Sequence, residues 1–227
     1  MKPEHYIKSF QQILDTYDHK FPLAHFLTQH FRKNPQMGSR DRKMASTLIY
    51  AYFRMGKSLE QASDTERLAM GLFLTLSTEH AVLTHLDVDL AAQVTLALAD
   101  KLKIAEGKGW EASTVFPWLD EVSEGMHKAV FSTSLLKQPD LFIRARKRFL
   151  KQVLAKLEEN KCPFEVEGLC IRIPNAQNLK AIFSLDQHAA WFEIQDYSSQ
   201  QTGSHFKPTA GEHWWDCCAA SGGKSLL

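Results

Sequence analysis

Hydrophobic spacing changes character near Pro139, and that switch constrains the fold of this 227-residue chain more than any other feature. Before it, apolar residues recur every three or four positions, the period of a helix with one buried face. Tyr6, Phe10, Ile13, Leu14 and Tyr17 form the first such stripe. Phe21-Pro22 opens a second, carrying Leu23, Phe26, Leu27 and His30. After a break at 34–38, Ser39 suits an N-cap. The helix it would start, over 40–55, turns Met44, Leu48, Ile49, Tyr52 and Phe53 inward and ends at Gly56. Further helices fit 64–76, 89–105 and 117–130. The pattern predicts an all-α bundle over 1–135.

After Pro139 the spacing shortens. Leu141-Phe-Ile-Arg-Ala145 alternates like a strand, and Leu150, Val153, Leu154 and Leu157 then mark one helix face. Cys170-Ile-Arg-Ile-Pro174 reads as a second strand and 178–185 as a short helix. These predict a small α+β unit over 136–190. Trp191-Phe-Glu-Ile-Gln195 reads as a strand leading to a polar turn at 196–201. It opens a third unit, 191–227, expected to be the incomplete start of an α/β domain.

Several classes are disfavoured by composition. Apolar residues make up 44% and charged residues 23%, ordinary for a soluble globular protein. No apolar run approaches the roughly 18 residues of a membrane helix, and Met1 to Lys8 holds no signal-like apolar core. The four cysteines, Cys162, Cys170, Cys217 and Cys218, form no disulfide framework. A cytoplasmic protein without a membrane partner is expected. His25 and His30, like His80 and His85, are five apart and so off a common helix face. No cysteine–histidine zinc spacing exists, and no metal is expected.

Net charge is +1, so binding to nucleic acid must come from local patches. Between 137 and 161, eight cations face three carboxylates, a local net charge of +5. Arg144, Arg146, Lys147 and Arg148 are its candidate RNA contacts. Arg40 and Arg42 belong to a second basic group that also holds Arg32, Lys33, Lys43, Arg54 and Lys57. A solvated helix face is the rival reading of each. Phe142, Phe149 and Trp191 could stack on bases, and each also suits a core.

The last fourteen residues carry the chemistry. An aromatic strand candidate ends at Asp216, and the small residues from Ala219 to Gly223 follow. A strand, a tight glycine turn and a helix start form a common nucleotide or cofactor site. A triphosphate-binding loop would place its first glycine where Cys218 stands; only the tail, Gly223-Lys224-Ser225, fits. A phosphotransferase is therefore the weaker expectation.

Asp216-Cys-Cys-Ala-Ala-Ser-Gly-Gly-Lys-Ser225 resembles the first motif of the Sun/Fmu family of RNA cytosine-5 methyltransferases. Ser221 stands where the family has proline, and Ser225 where it has threonine. Gln195-Asp-Tyr-Ser-Ser-Gln200 resembles a second family stretch, at the matching place upstream. Phe142-Ile-Arg144 is similar to the family strand preceding the catalytic domain. Gly38-Ser-Arg-Asp-Arg42 with Ile49-Tyr-Ala-Tyr-Phe-Arg54 resembles the helical, NusB-like N-terminal domain of the bacterial branch.

The resemblance implies a multidomain chain: a NusB-like RNA-binding bundle, a small RRM- or ferredoxin-like α+β unit, and the beginning of a Rossmann-like methyltransferase domain. It implies S-adenosylmethionine as cofactor, held by Cys218, Ala219, Ala220, Ser221, Gly222, Gly223 and Lys224. It implies RNA, ribosomal RNA first, as partner and substrate. Family chemistry adds a cysteine thiolate to carbon 6 of cytosine so that carbon 5 can attack the methyl group. The family places its two cysteines downstream of this loop, so no catalytic residue is expected within these 227 residues, and the segment by itself is expected to be inactive. A non-enzymatic RNA-binding or antitermination-like module is the alternative.

Overall fold

The computed structural model describes residues 2–175, 177–184 and 188–217. The chain divides into two units, 1–137 and 138–227.

The first unit is helical among its described residues. Helix α1 (Pro3–Thr16) buries Tyr6, Phe10 and Ile13, and α2 (Leu23–Lys33) buries Leu27. Helix α3 (Ser39–Arg54) buries Leu48, Ile49, Ala51 and Tyr52. Its cap is Gly38 and not Ser39: the Gly38 N–H donates to the Asp41 carboxylate at 3.3 Å, so Ser39 is already helical. Helix α4 (Asp64–Thr75) runs through the centre, with every residue from Leu68 to Leu74 buried. Ser63 and Glu66 cap it reciprocally: the Ser63 N–H reaches Glu66 at 2.8 Å and the Glu66 N–H reaches Ser63 Oγ at 3.3 Å. A side chain on Gly71 would put its Cβ 2.5 Å from the Ala51 carbonyl oxygen, so α3 and α4 touch backbone to backbone. Gly56, at φ +55°, closes α3 where a Cβ would lie 1.8 Å from the Val115 carbonyl oxygen.

Two expected helices are broken. Helix α5 (Ala81–Leu86) is not among the expected elements, and in place of one helix over 89–105 there are α6 (Val88–Ala92) and α7 (Leu98–Gly107). Asp87 caps α6 by accepting the Leu90 N–H at 2.9 Å. β-branched Val94 and Thr95 then fall at the turn before α7. The helix expected over 117–130 is a 3₁₀ turn at Leu119–Glu121 and a later start at Lys128. Gly125, costly in a helix interior, lies between them. Helices α8 (Ala112–Val115) and α9 (Lys128–Ser134) flank that stretch.

The second unit runs β1 (Leu141–Ala145), α10 (Leu150–Glu159), β2 (Glu165–Glu167), β3 (Cys170–Ile173), α11 (Leu179–Ile182) and β4 (Phe192–Ile194). The sheet order is β2-β3-β1-β4, and every neighbour pair is antiparallel. Alternation sends Ile143, Ala145, Ile171 and Ile173 to one face, where Val153, Leu157, Leu179 and Phe183 complete a core. The strand expected to open a separate unit at 191–195 lies in this sheet, with Phe192 opposite Ala145. The polar turn expected at 196–201 is a helix, α12 (Tyr197–Thr202). Its exposed polar surface shows no apolar period to read. The strand expected to end at Asp216 is absent: residues 206–216 carry no regular element and are exposed. A strand forms only against a neighbour that takes its hydrogen bonds.

Candidate nucleic-acid interface

Strand pleating puts Phe142 and Arg144 on the sheet face opposite the core. Arg144 stands across from Cys170 on one side and Glu193 on the other. Its Nε donates to Gln195 Oε1 at 2.8 Å. Burial, partly offset by Glu193, holds its guanidinium below the usual arginine range. Arg146 Nη2 pairs with Glu193 at 2.6 Å, and Arg172 pairs with Asp140 at 2.7 Å and Glu165 at 3.0 Å. Helix α12 lies against the same face. The Tyr197 hydroxyl reaches Glu167 at 3.1 Å and Gln200 Nε2 donates to the Gln195 carbonyl at 2.8 Å. The rings of Phe142 and Tyr197 are 5.9 Å apart. Arg144 and Arg146 are thus spent largely inside the fold.

Past the end of β1 the chain makes a 3₁₀ turn, Lys147–Phe149, that leads directly into α10. The Arg146 N–H donates to the Trp191 carbonyl at 2.9 Å and ties the turn to the β4 side. Arg148 lies 4.6 Å over the Phe149 ring. Phe149 stacks on Trp191 at 5.9 Å and 18°, and Trp191 meets His188 edge-on at 4.4 Å. Lys147, Arg148 and Lys151 are exposed. All three crowd the N-terminus of α10, whose first turn carries no acid. That end of a helix is already positive, so cations there oppose stability by about 0.3–1 kcal/mol each. A local choice that works against the fold is a mark of function. Chemically the corner offers a strong positive potential beside flat rings, which suits phosphate and base together.

In the helical unit, Arg40 is exposed on the first turn of α3. Arg42 is half-buried and its Nε donates to the Met37 carbonyl at 2.8 Å, where it closes the 34–38 loop. His188 escaped the sequence reading; its one signal was its place three residues before Trp191.

The expected cofactor contacts, Cys218, Ala219, Ala220, Ser221, Gly222, Gly223 and Lys224, lie outside the described residues. Cys162 and Cys170 are buried, and burial pushes both thiols up, away from the reactive thiolate. Cys217 is exposed. Among the described residues no group of three or more His, Cys, Asp or Glu could hold a metal ion. None of their helices is long and apolar enough to cross a membrane. No family model, curated protein or solved structure matches the chain.

Proposed function

We propose that this chain forms the RNA-gripping and cofactor-opening part of a cytoplasmic, S-adenosylmethionine-dependent RNA cytosine-5 methyltransferase acting on ribosomal RNA. The observation that carries the reading is the ordered pair of motifs, Gln195 to Gln200 and Asp216 to Ser225. Three structural features support it. The β-α-β-β-α-β order with sheet order β2-β3-β1-β4 suits a ferredoxin-like unit. The Gln195–Gln200 stretch enters α12 and braces that sheet through Tyr197 and Gln200. The Lys147–Arg148–Lys151 corner sets exposed cations beside the stacked rings of Phe149 and Trp191, as an RNA contact requires.

S-adenosylmethionine supplies an electrophilic methyl group, and residues 218–224 are assigned to hold it. Gly222 and Gly223 let main-chain N–H groups come close to such a ligand. The thiol that activates cytosine is assigned to no residue of this sequence. Calorimetry tests the reading on a polypeptide that also carries whatever the gene encodes after Leu227. Uptake of S-adenosylmethionine, and none of ATP, is the expected result; the reverse pattern overturns it. A second reading, an RNA-binding module without catalysis, is favoured by the basic and aromatic corner being assembled wholly from residues 147–191. RNA binding with no uptake of the methyl donor selects it.

A further inference from the structure

The helical unit holds a groove of about 780 Å³, within the size range of ligand sites, to which Arg54 and Lys57 of the second basic group contribute. Tyr50, Phe53 and Trp118 line it, with Arg54, Lys57 and Arg67. Trp118 is 49% exposed and Tyr50 38%, so both present ring surface to an incoming group. The arginines are held by neutral partners. Arg54 donates to the carbonyls of Leu135 at 3.3 Å and Lys137 at 2.8 Å. Arg67 donates to the Gly56 carbonyl and lies 4.6 Å over the Tyr52 ring. Main-chain carbonyls orient these cations without cancelling them. Glu60, paired with Lys57 at 2.8 Å, is the one carboxylate among the described residues of the lining, so three cations against one acid leave these at net +2. Burial also pushes Arg54 below the usual arginine range, and an arriving anion would offset that desolvation.

We infer that this groove takes one nucleotide, its planar base against Trp118 and Tyr50 and its phosphate toward Arg54 and Lys57. Flat apolar walls beside cations that outnumber the one carboxylate, with Arg54 oriented by main-chain carbonyls, are complementary to a base and a phosphate joined in one molecule. The inference rests on RNA being the partner and adds a second contact, in the helical unit, to the corner at Arg148. It names a nucleotide within a single-stranded RNA chain or a free nucleoside monophosphate, which share this chemistry.

The test is fluorescence anisotropy of fluorescein-labelled oligouridylate titrated with the 227-residue protein, with uridine monophosphate as competitor. Trp118→Ala and Tyr50→Ala should each weaken binding, by about five- to a hundredfold for a lost stacking partner. Lys57→Glu should weaken it too and flatten its salt dependence. Competition by uridine monophosphate assigns the site to a free nucleotide, and its absence at millimolar concentration assigns it to a chain; either supports the inference. Circular dichroism checks the fold, and Tyr50→Ala decides if Trp118→Ala unfolds. Wild-type affinity in both aromatic variants overturns the groove. If Arg148→Glu loses binding while those two keep it, the RNA reading stands and only the groove falls. If the wild-type protein binds neither probe, both fall.

Discussion

The guanidinium of Arg148 lies 4.6 Å over the ring of Phe149, at the N-terminus of a helix whose first turn carries no acid. For stability alone this is the wrong place for a cation. Replacing Lys147 and Arg148 together by glutamate should therefore move stability and binding in opposite directions. Urea denaturation should show a fold at least as stable, by up to about 1 kcal/mol per site. RNA affinity at low salt should fall, and the slope of log K against log salt should lose about 0.7 per contact removed. Loss of both stability and binding would make the cluster structural.

Arg146 gives the contrast. Glu193 already neutralises it at 2.6 Å, so Arg146→Gln should change the salt slope by less than half as much as Arg148→Gln. The same titrations measure it. An equal effect would mean that the pair opens when RNA binds.

Gly56→Ala should destabilise the helical unit by at least about 2 kcal/mol, combining left-handed backbone strain with overpacking. The Val115 carbonyl oxygen sits 1.8 Å from where the new Cβ would be. Gly109 has φ +85° and open space around its missing Cβ, so Gly109→Ala should cost only the backbone share, about 1–2 kcal/mol. Denaturation midpoints of the two variants make the comparison.

His80 should make the helical unit acid-sensitive. Burial lowers its pKa from 6.5, and its Nδ1 is buried without a hydrogen-bond partner. Above 6.5 both folded and unfolded chains hold it neutral, and no penalty exists. As pH falls through 6.5 the unfolded chain takes up the proton first, so stability declines until the folded pKa is passed. His30, lowered by burial and then by Lys33, acts in the same direction. Thermal melts of His80→Gln should lose less stability than wild type between pH 7.5 and 5.5; equal losses would exclude His80 as the cause.

The cap of α4 should weaken on the acid side as well. The Ser63 hydroxyl first, then its backbone N–H, hold the Glu66 carboxyl below its ordinary value of 4.5. Its contribution is present above that pH and lost as pH falls through the lower folded value. Ser63→Ala should cost about 1 kcal/mol at pH 7, and the gap between variant and wild type should narrow near pH 3. A gap that stays constant from pH 7 to 3 would contradict the reciprocal cap.

The first four helices were legible because Phe10 and Ile13, Leu23 and Leu27, Leu48 and Tyr52, and Leu68 and Leu72 each sit three or four apart and pack into one core. The strands at Leu141–Ala145 and Cys170–Ile173 were legible for the matching reason, alternation around Ile143 and Ile171. Strand β2 was not, since all three of its residues are exposed and two are glutamates. Helix α12 was hidden by its polar surface, and the break between α6 and α7 by apolar residues that continue across Val94. For the candidate interface, the charge count between 137 and 161 marked the right region. It could not separate Arg144 and Arg146, engaged by Gln195 and Glu193, from exposed Lys147 and Arg148. Those partners are some fifty residues away in sequence and become neighbours only through the β1–β4 pairing.

Transfer of a tritiated methyl group from S-adenosylmethionine to ribosomal RNA, mapped by bisulfite sequencing, tests the account most directly. The polypeptide assayed should carry everything the gene encodes after Leu227. The account predicts label at carbon 5 of cytosine, abolished when Gly222 and Gly223 are both changed to valine and reduced by Lys147→Glu with Arg148→Glu. No label in RNA, label at another atom, or label that persists in the double-valine variant would contradict it.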